Sequence, residues 1–270
     1  MNKNGYQEMW DEFAAKKAKG YLTHKYHADN IVGLTGIVRE NEIFRFLDLE
    51  KTDLLLDVGC ASGHQVFRAA PLCKHATGID VAIDFIKTAE EFAKENNIAN
   101  VEFACYDGNK LPYSDNFFDK LICSEVIEHV PDEHVFLDDI VRVVKPGGIC
   151  VFTVPNWNSR GTLYKRLKNC FRPFPFDPIN EFSMQAIKDH GDAHVRQFNL
   201  KSFSQFVGQH GLEVIYVGGA SFIDFPKSGP IMARINKFRF IQLIELGIEA
   251  IAARITRSLG RHIVLQARKK

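Results

Sequence analysis

Short apolar runs alternate with amphipathic stretches between residues 50 and 155. The runs have the length of buried strands, whereas the stretches between them repeat apolar residues at the spacing of a helix. The predicted strands cover residues 54–58, 76–80, 101–105, 120–124 and 149–154, and the predicted helices cover 65–70, 82–95 and 132–144. This alternation predicts a mostly parallel sheet with helices on both faces.

The chain on either side of this alternation is predicted to add a helical cap and two insertions. Residues 8–19 and 38–47 have helical patterns, which predicts an N-terminal helical cap over residues 1–50. The main domain then covers 51–270 and is interrupted by a lid at 156–199 and a helical insertion at 219–260. A helix over 200–210 and strands over 212–217 and 261–267 complete the pattern.

The composition is that of an ordinary globular protein with one large α/β core. Of its 270 residues, 46% are hydrophobic and 25% are charged. The 34 basic side chains nearly balance the 33 acidic ones, so the chain has no long-range attraction for nucleic acid. These values argue against a general nucleic-acid binder.

Segments that would direct the chain to a membrane or out of the cell are not found in the sequence. The apolar stretch 240–255 is interrupted by Glu245, Glu249 and Arg254, and residues 1–13 lack the apolar core of a signal peptide. Six cysteines without a C-x-x-C pair, three of them in predicted buried strands, predict reduced thiols. We therefore expect a cytoplasmic protein.

The lid region interleaves basic and aromatic side chains over residues 162–176. Such a segment could cover a hydrophobic acceptor or make peripheral contact with a membrane surface. A solvated helix packed by its apolar side is the alternative interpretation.

A glycine-bracketed turn follows the first predicted strand, in the segment LLLDVGCASGHQ. Asp57 ends the apolar run, Gly59 permits a tight turn, and Gly63 lets the next helix begin close to a ligand. Cys60 and Ala61 lie between these glycines, where a dinucleotide site would have the full G-x-G-x-x-G. The turn predicts a cradle for a nucleoside-like cofactor.

Acidic residues follow three successive predicted strands: Asp57, Asp80 and Asp107. The carboxyl ends of parallel strands meet at the crevice where such sheets bind ligands. A carboxylate at the second strand suits the two hydroxyls of a ribose, and one at the third suits the amine of adenine. Because Asp57 can attract an ammonium group, the set suits an adenosine with a charged amino-acid arm.

The segments DVGCASG, GID, YDGNKLPYSDNFFDKLICSEVIEHV and VVKPGGICVFTVPN resemble the successive motifs of class I S-adenosylmethionine (SAM)-dependent methyltransferases. Their order and spacing are kept over residues 50–155. The resemblance implies a Rossmann-like, seven-stranded α/β sheet whose last strand, RHIVLQARK, is antiparallel. The overall pattern is similar to the ubiquinone-biosynthesis O-methyltransferases, although the last third of the chain departs from it.

The resemblance also implies which residues hold SAM. The glycine turn would approach its methionine part, the acid after the second strand its ribose, and the acid after the third strand its adenine. The end of the fourth strand would line the side that bears the methyl group. The implied set is Asp57, Gly59, Cys60, Ala61, Gly63, Asp80, Val81, Asp107, Gly108, Ser124 and Glu125. Asp119, in the same run, is expected to be structural.

His129 is the predicted proton acceptor, together with Glu128, if the methyl acceptor is a hydroxyl group. An imidazole titrates near ~6.5, close to working pH, although a helix-terminal histidine without a chemical role is equally compatible. The spacing of Glu125, Glu128 and His129, with His194 downstream, resembles the E-x-x-E-H element of ubiquinone-pathway O-methyltransferases and small-RNA ribose methyltransferases. That resemblance implies a site for Mg²⁺ or a similar divalent ion.

The predicted activity is methyl transfer from SAM to a small-molecule acceptor, with a hydroxyl oxygen preferred. Transfer to carbon, to nitrogen or to an RNA ribose is the alternative within the same chemistry. A nicotinamide-dependent oxidoreductase shares the glycine turn and Asp80, but it leaves Asp107 without a role and expects another glycine before Gly63. A binding module without catalysis is a third interpretation.

Overall fold

The computed structural model describes residues 10–16, 18, 31–159, 196–221 and 258–270. Residues 10–16 and 18 form helix α1, which precedes the sheet. The later helices are α2 (Ile31–Leu47), α3 (His64–Ala69), α4 (Ile83–Glu95), α5 (Glu133–Val143) and α6 (Leu200–Gly208). The strands are β1 (Leu54–Val58), β2 (His75–Asp80), β3 (Val101–Cys105), β4 (Phe118–Ser124), β5 (Val144–Pro155), β6 (Leu212–Ala220) and β7 (His262–Lys269).

These strands form one seven-stranded sheet in the order β3-β2-β1-β4-β5-β7-β6. The first five strands of the sheet pair in parallel, whereas β7 runs antiparallel to both of its neighbours. The order reverses direction between β1 and β4, which is where open α/β sheets bind their ligands. The predicted fold, including the antiparallel last strand, is confirmed.

The core lies on both faces of the sheet. Alternate residues of a strand point to opposite faces, so Leu55 packs towards α2 and α3 while Leu56 packs towards α5 and α6. Both side chains are fully buried, as expected for a strand that is covered on both faces. The residues between Leu54 and Val58 therefore form a rigid strand that ends at the glycine turn.

The strand β5 begins earlier than predicted. The predicted strand begins at residue 149, directly after Pro146-Gly147-Gly148, a sequence that is typical of a turn. In the structure Val144 already pairs with Phe118, and the register shifts between Phe118 and Lys120. The segment Pro146-Gly147-Gly148 thus lies within β5 and does not mark the start of this strand.

The exposure of one cysteine also differs from the prediction. The predicted buried strand over residues 101–105 includes Cys105, but this residue lies on β3 at the edge of the sheet and is exposed. All five described cysteines have free thiols, and Cys170 lies outside the described residues.

Helix α1 packs against the residues that surround the glycine turn. Its residues Ala14 and Ala18 share a small apolar cluster with Phe85 at the start of α4. The hydroxyl of Ser62, within the turn, donates to the carbonyl of Ala18 at 2.9 Å. These contacts bring the first helix over the predicted cofactor crevice, while the division of the chain into cap, domain and insertions stays a prediction.

Most of the two predicted insertions, residues 160–195 and 222–257, lies outside the described residues. Among the helices that are described, none is both long and apolar enough to cross a membrane.

Candidate active site

The glycine turn after β1 has the tight backbone that the sequence predicts. Gly59 and Gly63 have φ values of +74° and +81°, and Ala61 between them has φ +47°. A Cβ atom at Gly59 would collide with the side chain of Val126, which follows β4. Only glycine therefore lets the turn lie this close to the end of β4. The backbone of the turn is tied to β2, because Gly59 donates to the Ile79 carbonyl at 2.8 Å.

The acids after β1 and β2 lie beside this turn and are almost fully buried. Asp57 is 2% exposed and Asp80 is 8% exposed. Asp80 accepts one hydrogen bond from the backbone N–H of Ala61 and another from that of Ala82, each at 2.9 Å. Burial raises the pKa of Asp80 to about 6, although these two hydrogen bonds oppose the change.

The pKa of Asp57 is raised well above its usual value. Burial is the largest cause, and the negative charges of Asp80 and Glu40 add to it. Ionisation of Asp57 would add a third negative charge to a low-dielectric region. A positively charged ligand group in the crevice would offset this repulsion, which fits the predicted attraction for an ammonium group.

The third acid, Asp107, is more accessible. It lies two residues beyond β3, is exposed, and accepts from the backbone and side-chain amide of Asn109 at 3.0 and 2.5 Å. Gly108 next to it has φ +74°. The backbone N–H of Tyr106 donates to the carbonyl of Asp80 at 3.1 Å. The segment that carries Asp107 therefore lies beside the end of β2.

Glu125 follows β4 with φ +59°, an unusual conformation for a residue other than glycine. Its carboxylate accepts from the Thr153 hydroxyl at 2.9 Å and contacts His262 Nδ1 at 3.1 Å and Arg39 at 3.3 Å. Burial would raise the pKa of Glu125, but the opposing effects of His262 and Arg39 hold it well below its usual value. Ser124 is joined to the same group through a 2.9 Å contact with Thr153.

Neither side chain that contacts the Glu125 carboxylate, Arg39 or His262, is predicted from the sequence. Arg39 lies on α2, and His262 is the first residue of β7, 137 positions after Glu125. The sequence around each of them carries no motif that would have pointed to the other. Only the order of strands in the sheet brings them together.

His129 and Glu128 lie in the turn that follows Glu125. Glu128 is fully buried, and its carboxylate lies 3.8 Å from His129 Nε2. The side chain of His129 is 12% exposed, and the Trp10 ring of α1 packs against it at a centroid distance of 5.4 Å. The predicted pair is therefore brought together, and α1 covers it.

The predicted metal site does not form among the described residues. Within the described ranges, no group of three or more histidine, cysteine or acidic side chains could hold a metal ion. The carboxylate of Glu125 contacts Arg39 and His262, and not the other predicted metal ligands that the structure describes. The remaining predicted ligand, His194, lies outside the described residues.

Asp119 has the structural role that was predicted for it. One carboxylate oxygen accepts from the backbone N–H of Leu54 at 3.0 Å, and the other accepts from Lys145 Nζ at 2.7 Å. It thus joins the starts of β1, β4 and β5 at the edge of the sheet opposite the crevice.

In comparison with known protein families, residues 56–152 match a family described as a methyltransferase domain. The ubiquinone biosynthesis O-methyltransferase of Coxiella burnetii is 33% identical over 113 residues, which are 41% of this chain and 47% of that protein. The chain thus matches about half the length of such curated relatives.

Solved structures share the fold at lower identity. The YcgJ protein of Bacillus subtilis has a TM-score of 0.57 and 16% identity, with 86% of this chain and 98% of that one covered. A SAM-dependent methyltransferase of Aquifex aeolicus has a TM-score of 0.55 and 16% identity, covering 76% and 91% of the two chains. These similarities support the seven-stranded fold.

Proposed function

We propose that this chain, which carries a methyltransferase domain over residues 56–152, transfers a methyl group from SAM to a hydroxyl oxygen of a small molecule. The observation that carries the proposal is the buried acid pair Asp57 and Asp80 on the two sides of the glycine turn. Such a site suits a ligand that combines a positive charge with a ribose diol. SAM has both groups.

The residues around the turn fit SAM in chemical terms. Asp57 would face the ammonium group of SAM. The raised pKa of Asp57 means that its ionised form is destabilised, and a nearby cation would stabilise that form. Asp80 would accept from the ribose hydroxyls, with Val81 beside them, and Asp107 with Gly108 would face the adenine amine. Gly59, Cys60, Ala61, Gly63 and Ser124 would approach the methionine part.

When bound, SAM supplies a methyl group that is already electrophilic. The protein then has to align the acceptor oxygen with the methyl carbon and to exclude water. Proximity and orientation alone lower a barrier by about 7–11 kcal/mol. Helix α1 contributes to this exclusion, since Trp10 covers His129 and Ser62 holds the carbonyl of Ala18. We propose that His129 lines the acceptor side, with the buried Glu128 behind it.

The preference for oxygen is supported by the name of the relatives, ubiquinone biosynthesis O-methyltransferase. The candidate acceptor classes are quinone precursors, lipids, sugars and natural products.

Calorimetry with S-adenosylhomocysteine (SAH) and with NAD tests the cofactor, and transfer of a labelled methyl group to catechols, quinols, lipids and short RNAs tests the acceptor. In calorimetry we expect saturable binding of SAH but not of NAD. In the transfer assay we expect the label to appear in the methyl ether of a phenol or a quinol. An Asp80→Asn variant should bind SAH at least tenfold more weakly. Folded protein that binds NAD but not SAH would contradict the proposal.

A further inference from the structure

His262 occupies a notable place at the carboxyl edge of the sheet. As the first residue of β7 it pairs with Pro155, the last residue of β5, and with Ala220, the last residue of β6. The two predicted insertions begin next to these residues. Ligands of such sheets bind outside the carboxyl ends of the strands, so His262 lies at the edge where ligands bind.

The backbone before His262 is held firmly. The side-chain amide of Asn156 donates to the carbonyls of Ser258 and Gly260 at 2.9 and 2.7 Å. The backbone N–H of Asn156 donates to Arg261 at 2.8 Å, and the N–H of Arg261 donates to Ser221 at 3.1 Å. The backbone that carries His262 is thus held in place, which restricts where its imidazole can lie.

The ring of His262 is oriented by Glu125. Among the described residues, the imidazole makes its side-chain contacts through Nδ1, which lies 3.1 Å from the Glu125 carboxylate and 3.4 Å from Arg39. A guanidinium can only donate, so Nδ1 cannot donate to Glu125 and accept from Arg39 at once, and we assign the Nδ1 proton to the shorter contact, with Glu125. Donation from Nδ1 to the carboxylate leaves a lone pair on Nε2 in the neutral ring. The carboxylate–imidazole pairs of hydrolytic enzymes use the same arrangement to make Nε2 a proton acceptor.

The charges around this ring come from two directions. Glu125 faces it from the end of β4, and Arg39 faces it from α2 at 3.4 Å from Nδ1. Arg39 also pairs with Glu125 at 3.3 Å, so the three side chains form one partly buried cluster. The side chains of His262 and Glu125 are 21% and 20% exposed, which leaves the ring within reach of a ligand.

We propose that His262, oriented by Glu125, is the residue that removes the hydroxyl proton from the methyl acceptor. The proton moves to Nε2 of His262 as the acceptor oxygen bonds to the methyl carbon of SAM. The bond between that carbon and sulfur breaks, and its electron pair stays on sulfur. The products are a methyl ether, SAH and a protonated imidazole. This assignment rests on the proposed SAM-dependent transfer to oxygen.

His129 is the residue that the sequence predicts for this step, and its geometry is less suitable. The Nε2 of His129 lies 3.8 Å from the Glu128 carboxylate, whereas the Nδ1 of His262 lies 3.1 Å from the Glu125 carboxylate. The ring of His129 is also covered by Trp10. We therefore assign His129 to the wall of the site and His262 to proton removal.

The kinetic test compares His262→Gln and His129→Gln in the full chain, with 4-nitrocatechol as acceptor. The matched control is His75→Gln, whose imidazole pairs with Glu102 at the opposite edge of the sheet at 3.7 Å. We expect His262→Gln to lower kcat about 10²–10⁴-fold, to abolish the acid limb of the pH profile and to keep SAH affinity within twofold. Unchanged kcat and pH profile in His262→Gln, with SAH bound normally, would overturn the assignment.

A second measurement needs no acceptor. Nitrogen-15 spectra of the imidazoles in the SAH-loaded protein, with the His262 signals identified from the His262→Gln variant, report which ring nitrogen carries the proton. A neutral ring protonated on Nδ1 supports the proposal, and a ring protonated on Nε2 overturns it. If the wild-type protein fails to bind SAH, the proposed function itself is wrong. Normal SAH binding with the wrong tautomer contradicts only the role of His262.

Discussion

The carboxylate of Asp80 accepts a hydrogen bond from the backbone N–H of Ala61 at 2.9 Å, and so the end of β2 holds the middle of the glycine turn. The same side chain is the proposed acceptor for the ribose hydroxyls. One carboxylate therefore supports the shape of the cradle and also contacts its ligand. Protonation of Asp80 should affect both.

The first prediction concerns the pH dependence of SAH binding. The pKa of Asp80 is raised to about 6, so its carboxylate is ionised at pH 7.5 and mostly protonated at pH 5. Because the ionised form is the better acceptor, we expect SAH affinity to fall as the pH falls through 6, by up to about tenfold per pH unit. Calorimetry between pH 5 and 7.5 measures this, with Asp80→Asn as the control that removes the contribution of Asp80 and keeps that of Asp57, whose pKa is also raised. A dissociation constant that does not change over this range would argue against the role of Asp80.

The second prediction separates steric collision from backbone strain at glycine. Gly59 and Gly147 have similar φ values, +74° and +80°, but a Cβ at Gly59 would collide with Val126, whereas one at Gly147 would meet nothing within 4 Å. We expect Gly147→Ala to cost about 1–2 kcal/mol of unfolding free energy, from strain alone. Gly59→Ala should cost more and should also abolish SAH binding. Urea unfolding and calorimetry test both variants, and equal effects of the two would show that Val126 does not confine the turn.

The third prediction concerns Asp119, which joins Leu54 and Lys145. Removal of its carboxylate leaves a backbone donor without its acceptor, so Asp119→Ala should lower the unfolding free energy by about 1–3 kcal/mol. SAH affinity should stay the same, because Asp119 lies at the opposite edge of the sheet. Asp115→Ala is the control, since Asp115 is 70% exposed and its pair with Arg142 should contribute little.

The stabilisation by Asp119 should also depend on pH. Burial would raise its pKa, but the hydrogen bonds from Lys145 and Leu54 lower it on balance. A lowered pKa means that the unfolded chain binds the proton more tightly than the folded one. The contribution is therefore complete above the ordinary pKa near ~3.9 and is lost as the pH falls below it. Urea unfolding at pH 3 and pH 6 should show a smaller difference between wild type and Asp119→Ala at the lower pH.

The fourth prediction uses the fluorescence of Trp10. Its ring packs against His129, and α1 contacts Ala61 within the turn, so a ligand in the crevice should change the surroundings of the indole. In a Trp157→Phe background, we expect saturating SAH to shift the emission maximum of Trp10. The double variant Trp10→Phe/Trp157→Phe provides the blank. An unchanged spectrum at full SAH occupancy would mean that α1 does not sense the ligand.

The predictable part of the fold was the part with continuous apolar runs. The strand from Leu54 to Val58 was placed without error, because a strand buried on both faces leaves a run bounded by turn residues. The start of β5 was not predictable in this way, since its pairing of Val144 with Phe118 precedes a Pro-Gly-Gly turn that normally ends a strand.

The candidate site divides in the same way. The acids after β1 and β2 follow from the rule that the strand ends meet, and the structure places Asp57 and Asp80 beside the turn. The partners of Glu125 come from α2 and β7, so they depend on long-range packing that no local pattern records. Glu125 was therefore predicted as a metal ligand, because its sequence neighbourhood does not show that Arg39 and His262 contact its carboxylate.

The position of β7 between β5 and β6 has a consequence for synthesis of the protein on the ribosome. In the described sheet β6 reaches β5 only through β7, so β6 must wait for residues 262–269 to emerge before it finds its place. Until then the edge of β5 that pairs with β7 in the finished sheet has no partner strand. A nascent chain stalled before residue 262 should therefore depend on chaperones, even though its first five strands are complete.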